Sequence, residues 1–331
     1  MFEIVPAGTH IDFIGRRRIC ALISLGLLIT SAVAVGVRGV RLGIDFSGGT
    51  EIQVRFAPGV EAGEGPIREL VGSVADVEGL SVVRYGEVGE NEFLLRFQGG
   101  LEPGEAVAAD SELDPELVTG DRIVRIEKTL ARGLGPLDIQ RVDFVGPRVG
   151  AELRTDGVLS LLWASLFILA YITVRFSSRF APGAIVAVMH DLLVTAGIFV
   201  ILGLEFDLRI LAAMLAILGY SLNDTIIIYD RVRENMALRT TYDLPQVLNE
   251  SVNQTLSRTV LTSGTTLLAL ASLFVLGGEV IRPFAFAMII GVLVGTYSSI
   301  YIAAPTLMLL EQRFGDERAG AARAREAKAK A

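Results

Sequence analysis

Four ionisable residues stand out because they lie inside or at the edge of stretches otherwise nearly free of charge: the adjacent pair His190 and Asp191, then Asp224, then Arg258. Hydrocarbon around a carboxyl group favours its neutral form, and a guanidinium brought beside it favours the anion. An Arg that approaches and leaves Asp224 would switch the carboxyl between holding and releasing a proton. That is the minimum needed to couple proton flow to a change of shape. Tyr220 and Ser221 precede Asp224 at i−4 and i−3 on the same helix face, with Asn223 beside it. Thr262 and Thr265 follow Arg258 at i+4 and i+7, a hydroxyl stripe suited to bonding a carboxylate or hydrating a proton path. A static role competes with this one. Membrane Ser and Thr often bond only to their own helix, Asp–Arg pairs can glue helices, and His190–Asp191 can be a packing hydrogen bond.

Other chemistries find little support. A single Cys20 excludes an intramolecular disulfide framework and a four-thiolate metal site, and two histidines, His10 and His190, leave little for a zinc centre. No Ser-His-Asp or paired-carboxylate arrangement reads as hydrolytic, so no enzyme, cofactor or metal is expected. The net charge of −7 offers no basic patch for nucleic acid. The glycine-rich GIDFSGGT at 43–50 lacks the Lys-Ser/Thr ending of a phosphate loop and precedes a predicted strand, so a backbone turn is expected there. Gly291 and Gly295 form a GxxxG pair, a common signal of close helix contact.

The elements that must position these residues follow from hydropathy. The chain has 331 residues, 51% of them hydrophobic, and a mean hydropathy of +0.52. The apolar residues concentrate in runs at 19–37, 157–174, 181–204, 210–229, 259–278 and 283–310. Each is close to the ~20 residues that cross a ~30 Å hydrocarbon core, so six transmembrane helices are expected. Lys and Arg sum to 15 in residues 1–18, 175–180, 230–258 and 311–331, whereas the short segments on the other side hold only Arg209 and Arg282. Positive charge stays inside, so both termini are expected in the cytoplasm and residues 38–156 outside. A cleaved signal peptide ending near Ala32-Val33-Ala34 is the alternative for the first run, as is a twin-arginine signal at Arg16-Arg17. The run exceeds the usual signal length, and an even number of helices requires it.

The expected organisation is an N-terminus at 1–18, helix 1 at 19–37, an exported domain at 38–156, helices 2–6 at 157–310 and a tail at 311–331. The exported domain holds 13 basic and 22 acidic residues, which makes it the source of the acidic balance. Its patterning predicts strands at 50–56, 81–86, 92–98 and 137–145 and helices at 66–77 and 115–134, an α+β, ferredoxin-like βαββαβ order. The Arg, Lys and Ala run at 319–331 reads as a solvated tail or a helix on the anionic inner leaflet.

GIDFSGGT after the first apolar run, DFVGPRVGAEL at 143–153, HDLLVTAGIF at 190–199, GYSLNDTIIIYDRVREN at 219–235 and TLSRTVLTSGTTLLAL at 255–270 together resemble the SecD/SecF family of bacterial protein-export membrane proteins, on its SecF side. The resemblance runs from Arg16 to about Phe314. It implies a resistance-nodulation-division-like membrane fold and a ferredoxin-like periplasmic domain in the bacterial inner membrane. It also implies assembly with SecD and the SecYEG translocon, with room for further accessory Sec subunits. In the family that assembly uses the proton-motive force to complete passage of unfolded polypeptide into the periplasm. Asp224 of GYSLNDT and Arg258 of TLSRT match the family's proton-pathway positions, and the coupling ion is H⁺ or Na⁺. The competing functions are half of a proton-driven lipid or small-molecule exporter and a non-conducting structural subunit.

Overall fold

Within hydrocarbon, backbone N–H and C=O groups find partners only in their own segment, so a long apolar run folds as a helix. A computed structural model describes residues 9–74, 77–85, 90–98, 115–176, 180–239 and 243–311. In chain order these form α1 (Arg17–Arg38), α2 (Ile44–Ser47), β1 (Gly49–Phe56), α3 (Glu64–Gly72), β2 (Glu78–Tyr85), β3 (Glu92–Gln98), α4 (Pro115–Gly133) and β4 (Leu137–Val145). There follow α5 (Pro147–Arg175), α6 (Ala181–Leu202), α7 (Leu208–Ala237), α8 (Leu244–Leu276) and α9 (Gly278–Ser298), the last continued by a π turn at Ser299–Ala303. Six helices are long and apolar enough to cross a membrane: α1, α5, α6, α7, α8 and the α9 segment extended to Glu311. The protein is a polytopic helical membrane protein.

Two compact units emerge. One contains Met1–Arg41 and Val158–Ala331, the other Leu42–Gly157. In the helical unit about half of α6, α7 and α9 is buried, against 11–17% of α1, α5 and α8. The first three therefore form the interior, and α9 packs on α6, α7 and α8. The GxxxG pair is a tight contact: a Cβ on Gly291 would fall 2.3 Å from the Ile217 side chain, and one on Gly295 3.0 Å from Ser221 Cβ. Local signals set the ends. Asp207 caps α7 by accepting from the Ile210 N–H at 3.0 Å, and Gly203, at φ +69°, closes α6 in the left-handed region.

Three helices outrun the hydropathy expectation. α5 begins ten residues before 157, α7 continues to Ala237, and α8 begins at Leu244. The segment 230–258, expected as a charged connection, is largely the paired ends of α7 and α8. Asn235 donates to Ser251 Oγ and Gln254 Oε1 at 2.9 and 3.0 Å, and Arg239 pairs with Glu250. Cross-helix polar bonds thus sustain helix where apolar burial ends. The tail at 319–331 lies outside the described residues.

The second unit is a four-stranded antiparallel sheet ordered β2-β3-β1-β4, with α3 and α4 completing a βαββαβ sequence of elements. Alternate residues Ile52, Val54, Phe56, Phe93, Leu95 and Phe97 point to one face and bury against Ile67 and Val71 of α3 and Ile126 and Leu130 of α4. The other face carries cross-strand pairs, Arg96 with Glu51 and Arg55 with Glu92. α3 stops at Gly72 rather than 77, and β1 and β2 each begin ahead of their predicted first residues. GIDFSGGT is more than a turn. It forms the single-turn α2, then passes through Gly48 and Gly49 at φ +73° and +133°. A Cβ on Gly48 would meet the Pro147 backbone at 2.7 Å, and one on Gly150 would meet the Gly48 N at 2.8 Å. The glycines allow two backbones to touch.

Candidate functional site

Besides the cap Asp207, two described carboxylates are buried in the helical unit, and their surroundings are opposite. Asp191 of α6 is fully buried. Its Oδ2 accepts from Ser221 Oγ of α7 at 2.5 Å and from Ser298 Oγ of α9 at 2.7 Å, and its Oδ1 lies 3.0 Å from His190 Nδ1. His190 Nε2 is buried without a partner among the described residues. A neutral imidazole protonated on Nδ1 fits both facts: it donates to Asp191 and leaves no N–H stranded. Asp191 is thus held by three hydrogen-bonding side chains from three helices.

Asp224 of α7 is 1% exposed and far less well held. Its Oδ2 accepts from Ser263 Oγ of α8 at 3.3 Å, and its Oδ1 has no hydrogen-bond partner among the described residues. Ser263 Oγ also lies 2.8 Å from Thr296 Oγ1 of α9. One hydroxyl has one proton, so if Ser263 donates to Asp224 it must accept from Thr296. The chain then runs from Thr296 through Ser263 to Asp224. A buried carboxyl with an unpartnered oxygen is an expensive arrangement, of the kind found where a group must gain and lose a partner.

Arg258 of α8 is exposed and makes no ion pair among the described residues, although it stands near enough for its charge to act on Asp224. It opens on a cavity of about 280 Å³ that also contains Asp230 and Glu234 of α7 and Tyr171 and Arg175 of α5. The sequence expectation of grouped supporting residues needs correction at several places. Ser221 serves Asp191 rather than Asp224. The buried Tyr220 hydroxyl has no partner among the described residues, and Asn223 is exposed. Thr262 donates to the Arg258 and Thr259 carbonyls and Thr265 to those of Leu261 and Thr262, so both bond to their own helix. The hydroxyl stripe follows Arg258 outward, and the side chain that reaches Asp224 is Ser263, about 100° round the helix from Thr262.

What sequence reasoning missed is the run Thr296–Ser299. At about 100° per residue, four consecutive side chains point in four directions. Thr296 bonds Ser263 on α8, and Tyr297 donates to the Cys20 carbonyl on α1 at 2.7 Å. Ser298 bonds Asp191 on α6, and Ser299 Oγ lies 2.9 Å from Thr225 Oγ1 on α7. The signal was four polar residues in a row inside an apolar span. The π turn begins at the last of them, and such turns are frequent at functional sites.

Residues 126–313 match the family described as protein export membrane protein SecD/SecF, C-terminal, and residues 33–60 match the SecD/SecF GG motif. The protein translocase subunit SecF of Magnetococcus marinus is 42% identical over 93% of this chain and 94% of its own. The SecF of Rhodothermus marinus is 40% identical over 91% and 93%. The chain belongs to the SecF family. Among solved structures, SecDF of Thermus thermophilus, described as a translocon-associated membrane protein, aligns with a TM-score of 0.77 at 34% identity, covering 92% of this chain and 39% of its own. SecDF in a super-membrane-facing form aligns at 0.67, covering 97% and 41%. A SecF chain thus spans about two-fifths of these SecDF chains. The C-terminal family region contains Asp191, Asp224, Arg258 and the Thr296–Ser299 run, and the GG motif contains the Gly48–Gly49 contact. As a member of the SecF family, the chain is a subunit of the Sec protein-translocation machinery.

Proposed function

We propose that this SecF subunit transmits the proton-motive force to polypeptide translocation through Asp224 and Arg258. The observation that carries the proposal is the Oδ1 of Asp224, buried in an apolar bundle without a hydrogen-bond partner among the described residues, with the Arg258 guanidinium on the neighbouring helix unpaired among the same residues. Proton arrival neutralises the carboxyl and frees it from Arg258. Proton departure restores the attraction, and the change of charge moves α8 relative to α7. The coupling ion is H⁺, no covalent step is involved, and His190–Asp191 supports the relay as a fixed anchor.

The domain at 38–156 is read as ferredoxin-like and periplasmic. The βαββαβ element order and the β2-β3-β1-β4 sheet support the fold, and the excess of Lys and Arg in the other connections supports both termini being cytoplasmic. The setting is the bacterial inner membrane. SecD is the partner, supported by the likeness of this chain to one part of SecDF and by the exposed apolar faces of α5 and α8. The translocon is the further partner and emerging unfolded polypeptide the cargo, as the description of the Thermus protein suggests.

Asp224→Asn tests the reading in vesicles containing the whole complex, with proton and sodium gradients imposed separately. The variant is expected to assemble fully and to lose only the proton-driven part of secretion. Full assembly with proton-driven secretion at the wild-type rate would exclude a relay through Asp224, and a response to sodium alone would replace the coupling ion.

A further inference from the structure

The chain ahead of α1 is bound by two side chains of α8. Asn249 and Asn253, one helical turn apart, point to the same side. Asn249 Oδ1 accepts from the N–H groups of Phe13 and Ile14 at 2.8 and 3.3 Å, and its Nδ2 donates to the Ile11 carbonyl at 3.0 Å. Asn253 Oδ1 accepts from the Ile11 N–H at 2.9 Å, and its Nδ2 donates to the same Ile11 carbonyl at 2.8 Å. Two amides therefore occupy the backbone of residues 11–14 much as a neighbouring strand would.

The segment is built to be held. Asp12 Oδ1 accepts from the Gly15 N–H at 2.7 Å and turns the chain into α1, and a Cβ on residue 15 would collide with that carboxyl at 2.0 Å. Phe13 and Ile14 are buried, at 8% and 3% exposure, in the same core as Val247, Leu248 and Val252 of α8. Burial and amide bonds together make a strap between α8 and α1.

α1 also packs along α6 and against the turn that ends α9. Its buried residues are Ser24 and Ser31, the first bonded to Tyr297 and the second set against Gly197. Arg38 at its far end donates to the Ile201 carbonyl. α1 is also the helix that runs into the unit beginning at Leu42. Asn253 precedes Arg258 by five residues, about 7.5 Å along one continuous helix. A movement of the α8 segment that carries Arg258 reaches the strap within two turns.

We propose that Asn249 and Asn253 are positioning residues that clip α1 to α8, so that displacement of the helix bearing Arg258 is passed through the 11–14 strap into α1 and the domain that follows it. The proposal rests on the proton-coupled reading of Asp224 and Arg258. It assigns the clip a transmitting role rather than an anchoring one, and the strap is required to stay closed throughout the cycle.

A removable covalent clip tests this. In a Cys20→Ser background, Ile11→Cys and Asn253→Cys are combined with Asn249→Ala, which removes the amide bonds and puts a thiol on each of the two residues that they joined. Secretion is measured in vesicles with the full complex under an imposed proton gradient, with Asp224→Asn alongside. Reduced, the variant is expected to remain in the complex but to lose the proton-driven part of secretion, down to the Asp224→Asn level. Oxidised to a disulfide, it is expected to recover. Wild-type secretion by the reduced variant overturns the proposal, as does a bridged variant that stays inactive. Where the reduced form assembles poorly, oxidation before extraction supplies the bridged form, which must secrete at the wild-type rate without its amides. If Asp224→Asn itself secretes normally, the proton reading fails. If Asp224→Asn is impaired and the reduced clip variant is not, the clip alone fails.

Discussion

Gly197→Ala is the sharpest perturbation the helical unit offers, because its cost can be worked from three distances. A Cβ on residue 197 would stand 1.9 Å from Ser31 Oγ, 2.2 Å from Ser31 Cβ and 2.9 Å from Ser31 Cα. Comfortable contacts are about 3.5–4.0 Å, so α1 must retreat from α6 by more than an ångström. Overpacking of this kind costs about 1–3 kcal/mol. For a unit of this size that is a fall in Tm of about 2–4 °C per kcal/mol. The distances also order the rescues. Ser31→Ala removes Oγ but leaves Cβ at 2.2 Å, so it should restore little. Ser31→Gly leaves Cα at 2.9 Å and should restore most of the loss, although alone it destabilises α1 by about 0.5–1 kcal/mol as a helix-interior glycine. The same substitution thus changes sign between backgrounds, which a double-mutant cycle reads directly. Thermal unfolding of the purified protein in detergent is the assay. A Gly197→Ala variant that melts with the wild type, or a Ser31→Ala rescue equal to that of Ser31→Gly, would refute the close approach of α1 to α6.

Other substitutions separate the residues around the two carboxylates. Ser263→Ala removes the donor that Asp224 has among the described side chains, and proton-driven secretion should fall while Tm shifts by no more than the value of one hydrogen bond, about 1 kcal/mol; unchanged secretion would count against Ser263. Ser298→Ala takes a donor from a fully buried carboxyl group and should cost about 1–3 kcal/mol, and in an Asp191→Asn background the cost should be smaller, a coupling that thermal melts of the four proteins would measure. Thr262→Val and Thr265→Val should each stay within about 0.5 kcal/mol and leave secretion intact, since both hydroxyls bond to their own helix; a loss of secretion would place them in the relay after all.

The membrane helices were legible because hydropathy measures what the bilayer selects. Their ends were not, because Asn235, Ser251, Gln254 and the Arg239–Glu250 pair extend α7 and α8 by side-chain bonds that hydropathy scores as loop. The sheet was legible from its alternation, while the end of α3 at Gly72 depended on local packing that no period reveals. Asp191, Asp224 and Arg258 were visible because an ionisable group in hydrocarbon is costly wherever it points. Hydroxyls are cheap there, so Ser263 and Thr296–Ser299 gave no comparable signal, and Thr262 and Thr265 were chosen from spacing alone. Their partners depend on how each helix is rotated. That rotation is fixed by contacts such as Gly291 on Ile217 and Gly295 on Ser221, which lie between distant parts of the chain.

The π turn at Ser299–Ala303 has a consequence for how the chain length of this protein can change over evolution. A π turn winds one more residue into the helix than α geometry requires, while the flanking turns keep their own facing. Deleting one residue at 299–303 would return the segment to α-helix and leave Thr296 and Leu307 facing the neighbours they face now. Deleting a residue earlier in α9 would turn everything on one side of the cut by about 100°, carrying Ser298 and Thr296 away from Asp191 and Ser263. Single-residue gaps among relatives are therefore expected at 299–303 and nowhere else along this helix. At that position the gap would mark a change of winding and leave the packing alone.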